Sequence, residues 1–189
     1  VPPADWRFRP GEHGKPAIEE PPRLLEFNLS HSGDWQVCAV TAGNPVGVDI
    51  ERCDHPRDVM RLARRFFHPA EVADLEACAA RQRLDRFYDY WTLKEAAVKA
   101  RGQALGPALE SRTFELLFES QAPGRIVPFT GQDGPRPQYY LLEQPPGYRL
   151  AVCALPDTPS PQGPRLFELG AAGQVRELSV SVRAVSAPD

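Results

Sequence analysis

Two short stretches hold the residues best suited to chemistry. In Val46-Gly47-Val48-Asp49-Ile50-Glu51 three branched apolar residues alternate with Gly47, Asp49 and Glu51, which is the period of a strand. The alternation sends Val46, Val48 and Ile50 to a core and sets Asp49 and Glu51 side by side on the other face, close enough to share one cation. Like charges at that spacing are unfavourable unless something compensates them. A hard divalent cation such as Mg2+ does so, because it takes oxygen ligands and keeps places for waters and phosphates. The second stretch runs from Asp89 to Gly102 and reads as an amphipathic helix. Phe87, Tyr90, Trp91, Leu93 and Val98 supply its apolar surface, and Gly102 its C-cap. Glu95 and Lys99 stand one turn apart on one side. Alone they are an ordinary surface pair worth about 0.2–0.5 kcal/mol. Beside Asp49 and Glu51, Glu95 becomes a third carboxylate and Lys99 a group able to reach a phosphate.

The elements Gly47-Val48-Asp49-Ile50-Glu51 and Trp91-Thr92-Leu93-Lys94-Glu95-Ala96-Ala97-Val98-Lys99, with Arg65-Phe66-Phe67 and Glu71 between them, resemble the two signature motifs of the 4'-phosphopantetheinyl transferases. The larger, surfactin-synthetase-activating type is the nearer match. Each motif alone is weak, and the ordered pair is fairly specific. The resemblance implies an α+β fold, one lobe of the transferase fold with an antiparallel sheet packed on a long helix. It implies Mg2+-dependent transfer of the 4'-phosphopantetheine group from coenzyme A to a serine of an acyl or peptidyl carrier protein, with release of 3',5'-ADP. Asp49, Glu51 and Glu95 would hold the metal. Gly14-Lys15-Pro16 would border the adenine and phosphates of coenzyme A. His31, in Asn28-Leu29-Ser30-His31-Ser32, would contact the 3'-phosphate, with Ser30 or Ser32 nearby. Lys99 would stabilise or protonate the leaving group, with Lys94 helping as a point charge. Glu95 would take the serine proton, directly or through a water. Without the resemblance, Lys15 is a solvated turn lysine and His31 a local hydrogen-bonding group.

The rest of the chain supplies the frame. At 189 residues, 42% hydrophobic, it fits one domain or two small lobes with a shared core. A net charge of −3 gives no sign of bulk nucleic-acid binding, and no run is long enough to span a membrane. The start does not read as a signal peptide. Four cysteines lie scattered without ligand spacing, as expected of thiols in a reducing compartment, here the cytoplasm.

Residues 1–22 are proline-rich and predict an extended or loop segment. Leu24–Leu29, Trp35–Thr41 and the Asp49 strand predict a meander. A helix is predicted to start at Asp54 or His55, with Pro56 in its first turn and Val59, Leu62, Ala63 and Phe66 as its apolar stripe. Arg57, Arg61, Arg64 and Arg65 fall away from that stripe, as a solvated face or, through Arg61 and Arg65, as contacts to an acidic partner. A second helix begins at His68-Pro69-Ala70-Glu71, with Glu71 as a capping acid, and runs to about Ala80. Arg81 to Arg83 break the pattern, and the main helix opens at Leu84. Strands follow at Phe114–Glu119, Ile126–Phe129, Tyr139–Glu143 and Arg149–Ala154. The transferase-like lobe thus occupies residues 23–156. Residues 157–189 form a linker and a tail that ends as a short added strand or in disorder.

The resemblance begins near Phe8 or Gly14, which implies that almost the whole of the family's first lobe is absent. The expectation is an incomplete phosphate grip and a cleft completed by a separate chain, by a lost portion of this one or by a second copy. Apolar surface should be left exposed, part of it covered by residues after Asp157, and the chain alone should transfer poorly. Two other functions share these residues: a coenzyme A and carrier-protein binding half-enzyme, and a metal-dependent phosphatase or nucleotide hydrolase. A plain α+β domain with surface ion pairs leaves Asp49 and Glu51 unexplained.

Overall fold

The computed structural model describes residues 2–11, 13–20, 24–54, 58–118, 123–129, 137–157 and 162–186. After a short 3-10 turn, β1 (Arg7–Pro10) and β2 (Pro16–Glu20) pair as a hairpin within the segment predicted to be extended or loop. Its prolines do not prevent this, because Pro10 faces Pro16 at the end of the ladder, where a missing N–H costs little. β3 (Leu25–Ser32) and β4 (Trp35–Ala42) form a second antiparallel hairpin, but β5 (Val46–Arg52) leaves it to pair in a different sheet, so the predicted meander does not form.

The helical layer comes next. α1 (Val59–Phe66) starts later than predicted, with Asp58 as its N-cap accepting from the Arg61 amide at 3.1 Å; the predicted start at His55 and Pro56 lies outside the described residues. α2 (Pro69–Ala77) opens on a capping box between His68 and Glu71, as its sequence predicts. α3 is Ala80–Ala100, beginning before the predicted Leu84. Arg83 does not break it: its guanidinium donates to the carbonyls of Leu75 and Cys78 at 2.9 and 3.2 Å, covering the open end of α2. α4 (Leu105–Glu110) was not foreseen. The strands after it are β6 (Phe114–Leu117), β7 (Gly124–Pro128), β8 (Gln138–Leu142), β9 (Tyr148–Ala154), β10 (Leu166–Leu169), β11 (Val175–Leu178) and β12 (Val182–Val185).

One six-stranded sheet has the order β5-β9-β8-β12-β7-β6. Its pairs are antiparallel except β12 with β7, so the sheet is mixed where an antiparallel one was expected. The tail therefore supplies a strand in the middle of the sheet, not an appendage. Two cores sit on the two faces, and the fold is α+β. On one, α3 lays Phe87, Tyr88, Leu93, Ala96 and Ala97 over Tyr139, Leu141, Ala151, Cys153 and Ala184, each large apolar side chain worth about 1.5–3 kcal/mol when fully buried. On the other, Val48, Ile50, Leu142 and Leu150 meet Trp35, Val37 and Ala39 of β4 and Leu166, Val180 and Val182 of the C-terminal segment. That segment thus covers apolar surface of the sheet.

The alternation in β5 consequently separates two covered layers, not core from solvent: Val46 to Ile50 are all buried. Gly47 explains how closely α3 approaches. A Cβ at that position would lie 2.1 Å from the Ala96 carbonyl oxygen and 2.3 Å from the Ala100 nitrogen, so only glycine lets the helix rest on the strand.

Candidate acidic site

Asp49 and Glu51 leave β5 on the face that α3 covers, and Glu95 and Lys99 reach down from the helix. Ligand-type oxygens of Asp49, Glu51 and Glu95 all lie within 4.8 Å of one another. Lys99 Nζ stands 2.6 Å from Asp49 Oδ1 and 3.2 Å from Glu95 Oε2. Asp49 is only 2% exposed, and its Oδ2 has no hydrogen-bond partner among the described residues. Burial raises the Asp49 carboxyl well above the ordinary aspartate value, and the charge of Glu95 adds to this against the pull of Lys99 and Ser30. For Lys99 burial works downward, yet the charges of Asp49 and Glu95 outweigh it and its pKa is raised.

The edge strand β5 is dressed by side chains of β3. Asn28 Oδ1 accepts from the Val48 amide at 2.9 Å, Ser30 Oγ from Ile50 at 3.3 Å and Ser32 Oγ from Arg52 at 3.1 Å. The two hydroxyls then donate onward, Ser30 to Asp49 Oδ1 at 2.9 Å and Ser32 to Glu51 Oε2 at 3.2 Å. Lys99 also reaches Ser30 Oγ at 3.3 Å. This ladder satisfies edge amides that would otherwise be orphaned and orients both carboxylates.

The geometry brings together Asp49, Glu51, Glu95, Lys99 and Ser30. Lys15 lies beyond them, half-buried, donating to the carbonyls of Val46 at 2.9 Å and Ala100 at 3.3 Å; it ties the start of β2 to the C-terminus of α3, where a cation suits the helix dipole. Burial lowers its pKa. Gly14 is exposed with a φ of 81°, and Pro16 opens β2. His31 is exposed, and strand alternation turns it away from the face that carries Ser30 and Ser32. Lys94 is not at the cluster. It is 0% exposed and paired with Glu71 at 2.7 Å, and it also donates to the carbonyls of Leu109 and Arg112. Its point-charge role beside a substrate has no opening to act through. Arg61 and Arg65 are exposed on α1. Asn28 went unread in the sequence; its signal is a polar residue in register with Ser30 and Ser32, on the face of a strand otherwise flanked by apolar residues.

A buried carboxylate with an unpartnered oxygen, two further carboxylates and one ammonium leave negative charge uncompensated, and a hard divalent cation fits that donor set.

Fold and cluster define an α+β lobe with convergent acids between an edge strand and its covering helix. The family model of the 4'-phosphopantetheinyl transferase superfamily matches residues 45–153. The chain is 37% identical over 158 residues to 4'-phosphopantetheinyl transferase Sfp of Bacillus subtilis, covering 82% of this chain and 66% of that protein. It is 37% identical over 132 residues to the phosphopantetheinyl transferase of a Thraustochytrium species (64% and 46%). The same identity, 37% over 130 residues, holds for 4'-phosphopantetheinyl transferase HetI of a Nostoc species (67% and 53%). This chain belongs to the 4'-phosphopantetheinyl transferase superfamily. It spans less than two thirds of the length of each of these relatives.

Proposed function

We propose that the chain carries the catalytic acids for Mg2+-dependent transfer of 4'-phosphopantetheine from coenzyme A to a serine of an acyl or peptidyl carrier protein. The observation that carries this reading is the buried oxygen of Asp49, unpartnered among the described residues, in the acidic cluster of a chain of this family. Asp49, Glu51 and Glu95 would hold Mg2+, which when bound supplies charge neutralisation at the pyrophosphate of coenzyme A. In the transfer, a bond forms between the serine oxygen and the phosphorus of the phosphopantetheine, and the phosphorus–oxygen bond to 3',5'-ADP breaks. Glu95, 13% exposed at its side chain, accepts the serine proton directly or through a water. Lys99, held protonated by its acidic neighbours, stabilises or protonates the departing phosphate. Lys15, Gly14, Pro16 and His31 are proposed to border the coenzyme A, and Arg61 and Arg65 to meet the acidic carrier.

Coenzyme A chemistry and four cysteines that are all free thiols fit a cytoplasmic setting; no described helix is long and apolar enough to cross a membrane. A second reading is a weak half-enzyme that binds coenzyme A and carrier and needs a partner lobe from a second chain or copy. Exposed Phe8, Leu29 and Val40 favour it: Leu29 and Val40 lie on the outer face of the β3–β4 hairpin and Phe8 meets Phe27 edge-on there.

The test is the intact mass of an apo carrier protein incubated with this chain, coenzyme A and Mg2+, beside an Asp49→Ala control. A gain of one phosphopantetheine group that the control lacks is expected. No gain from a folded chain, where a full-length relative modifies the same carrier, would reject the sufficient-enzyme reading in favour of the half-enzyme.

A further inference from the structure

Asp89 lies on α3 upstream of Glu95 and is fully buried. Arg183 of β12 grips it with a fork: Nε donates to Oδ1 at 3.1 Å and Oδ2 at 3.0 Å, and Nη2 stands 3.0 Å from Oδ2. Arg149 of β9 approaches the same carboxylate, Nε to Oδ1, at 2.7 Å. Glu143 joins the two arginines, 2.7 Å from Arg183 and 3.6 Å from Arg149. Arg149 stands opposite Glu51 in the β5–β9 ladder. A charge network centred on the buried Asp89 thus links the C-terminal strand, the helix bearing Glu95 and Lys99, and the neighbour of the strand bearing Asp49 and Glu51.

The strand is shaped for this contact. The β12–β8 register slips between Val182 and Ala184, at Arg183. Val182 packs into the core on one face of the sheet and Ala184 into the core on the other, whereas an uninterrupted strand would send both to one face. The bulge turns Arg183 and Ala184 together toward α3, and such bulges serve to re-aim a side chain. Gly47 fixes the approach of α3 near its C-terminal end. Apolar packing seats the helix on the sheet without strict direction; a bidentate Arg–carboxylate pair adds a contact of defined geometry.

We infer that Arg183 is a positioning residue for the acidic cluster, and that the C-terminal strand, outside the residues matched by the family model, is a working part of the lobe. The inference rests on the cation-binding transferase reading for its kinetic readout. The experiment compares wild type, Arg183→Gln and Arg183→Lys at a temperature where circular dichroism shows each folded. Mn2+ affinity is read by calorimetry, kcat and KM for coenzyme A by carrier modification, and hydrogen exchange along α3 by mass spectrometry. Arg183→Gln weakens Mn2+ binding and lowers kcat, each about tenfold, because small displacements of a site are costly. KM for coenzyme A moves by about twofold or less, as for a residue outside the substrate contacts, and α3 amides exchange faster. Arg183→Lys, which keeps the charge and loses the fork, recovers part of both losses. Wild-type Mn2+ affinity and kcat in folded Arg183→Gln would overturn the inference, as would a lowered melting temperature as the sole change. If Arg183→Gln does not fold, Arg183→Lys is judged by the same readouts, and wild-type values there overturn it. If the wild type binds Mn2+ but modifies no carrier, the transferase reading fails alone and Mn2+ affinity with exchange still decides this inference. A wild type that binds no Mn2+ removes both.

Discussion

α3 carries two lysine–carboxylate sites that differ in how fully their polar groups are satisfied and sealed. Lys94 and Glu71 are both 0% exposed at the side chain, and every charge is answered. Glu71 Oε1 accepts from the Phe114 amide and Oε2 from the His68 amide, each at 2.9 Å. Lys94 spends its remaining donors on Leu109 and Arg112, below the ring of Phe67. Lys99 with Asp49, Glu51 and Glu95 is likewise an ammonium among carboxylates, but Asp49 Oδ2 lacks a partner among the described residues and Lys99 is 21% exposed. The closed, satisfied pair is a structural device that joins α2, α3 and β6. The open site, short of positive charge, is suited to a ligand. What separates the two is the completeness of hydrogen bonding, not residue type.

The contrast can be broken from either side. The largest expected effect is on stability at the satisfied pair: Lys94→Met leaves Glu71 as a buried unpaired charge and should cost about 3–5 kcal/mol in urea unfolding, while the double change Glu71→Gln with Lys94→Met should cost much less. A double variant as unstable as the single would show that packing, not charge, dominates there. Next comes the cation itself. Mn2+ or Mg2+ at about a hundred times its dissociation constant should stabilise the wild type by about 2.7 kcal/mol, an increment that a chelator removes. Gly47→Ala comes third. Its Cβ meets the backbone of α3, so about 1–3 kcal/mol of stability should go, and the cation-dependent increment should shrink with it as helix and strand separate. The smallest change is expected for Asp49→Asn without cation, about 1 kcal/mol or less, because the removed charge was poorly compensated; the increment on adding cation should vanish. Strong destabilisation by Asp49→Asn alone would make this cluster a second structural pair.

Much of the site's geometry could be read from local periods. The two-residue period of β5 places Asp49 and Glu51 on one face, and the four-residue spacing of Glu95 and Lys99 places them on one side of a helix; those rules act within single elements. Lys94 shows where they stop. It neighbours Glu95 in sequence and lies roughly 140° around the helix from Lys99, and only the positions of α2 and β6 decide that its side is sealed. Arg83 likewise looks like a break in the apolar pattern until the open carbonyls of α2 supply its purpose. The strands were visible as alternating segments, yet their order in the sheet is a long-range property, so the insertion of β12 between β8 and β7 left no local mark. Asp89 and Arg149 did leave one: charged residues on apolar faces of a helix and a strand announce buried partners without naming them.

The most direct test is a calorimetric Mn2+ titration of the wild type, Asp49→Asn and the Glu71→Gln with Lys94→Met double variant, all confirmed as folded. One site per chain in the wild type, retained in the double variant and abolished in Asp49→Asn, is the result expected if the open cluster, and not the closed pair, holds the cation. No binding by the wild type, or binding that survives Asp49→Asn, would contradict it.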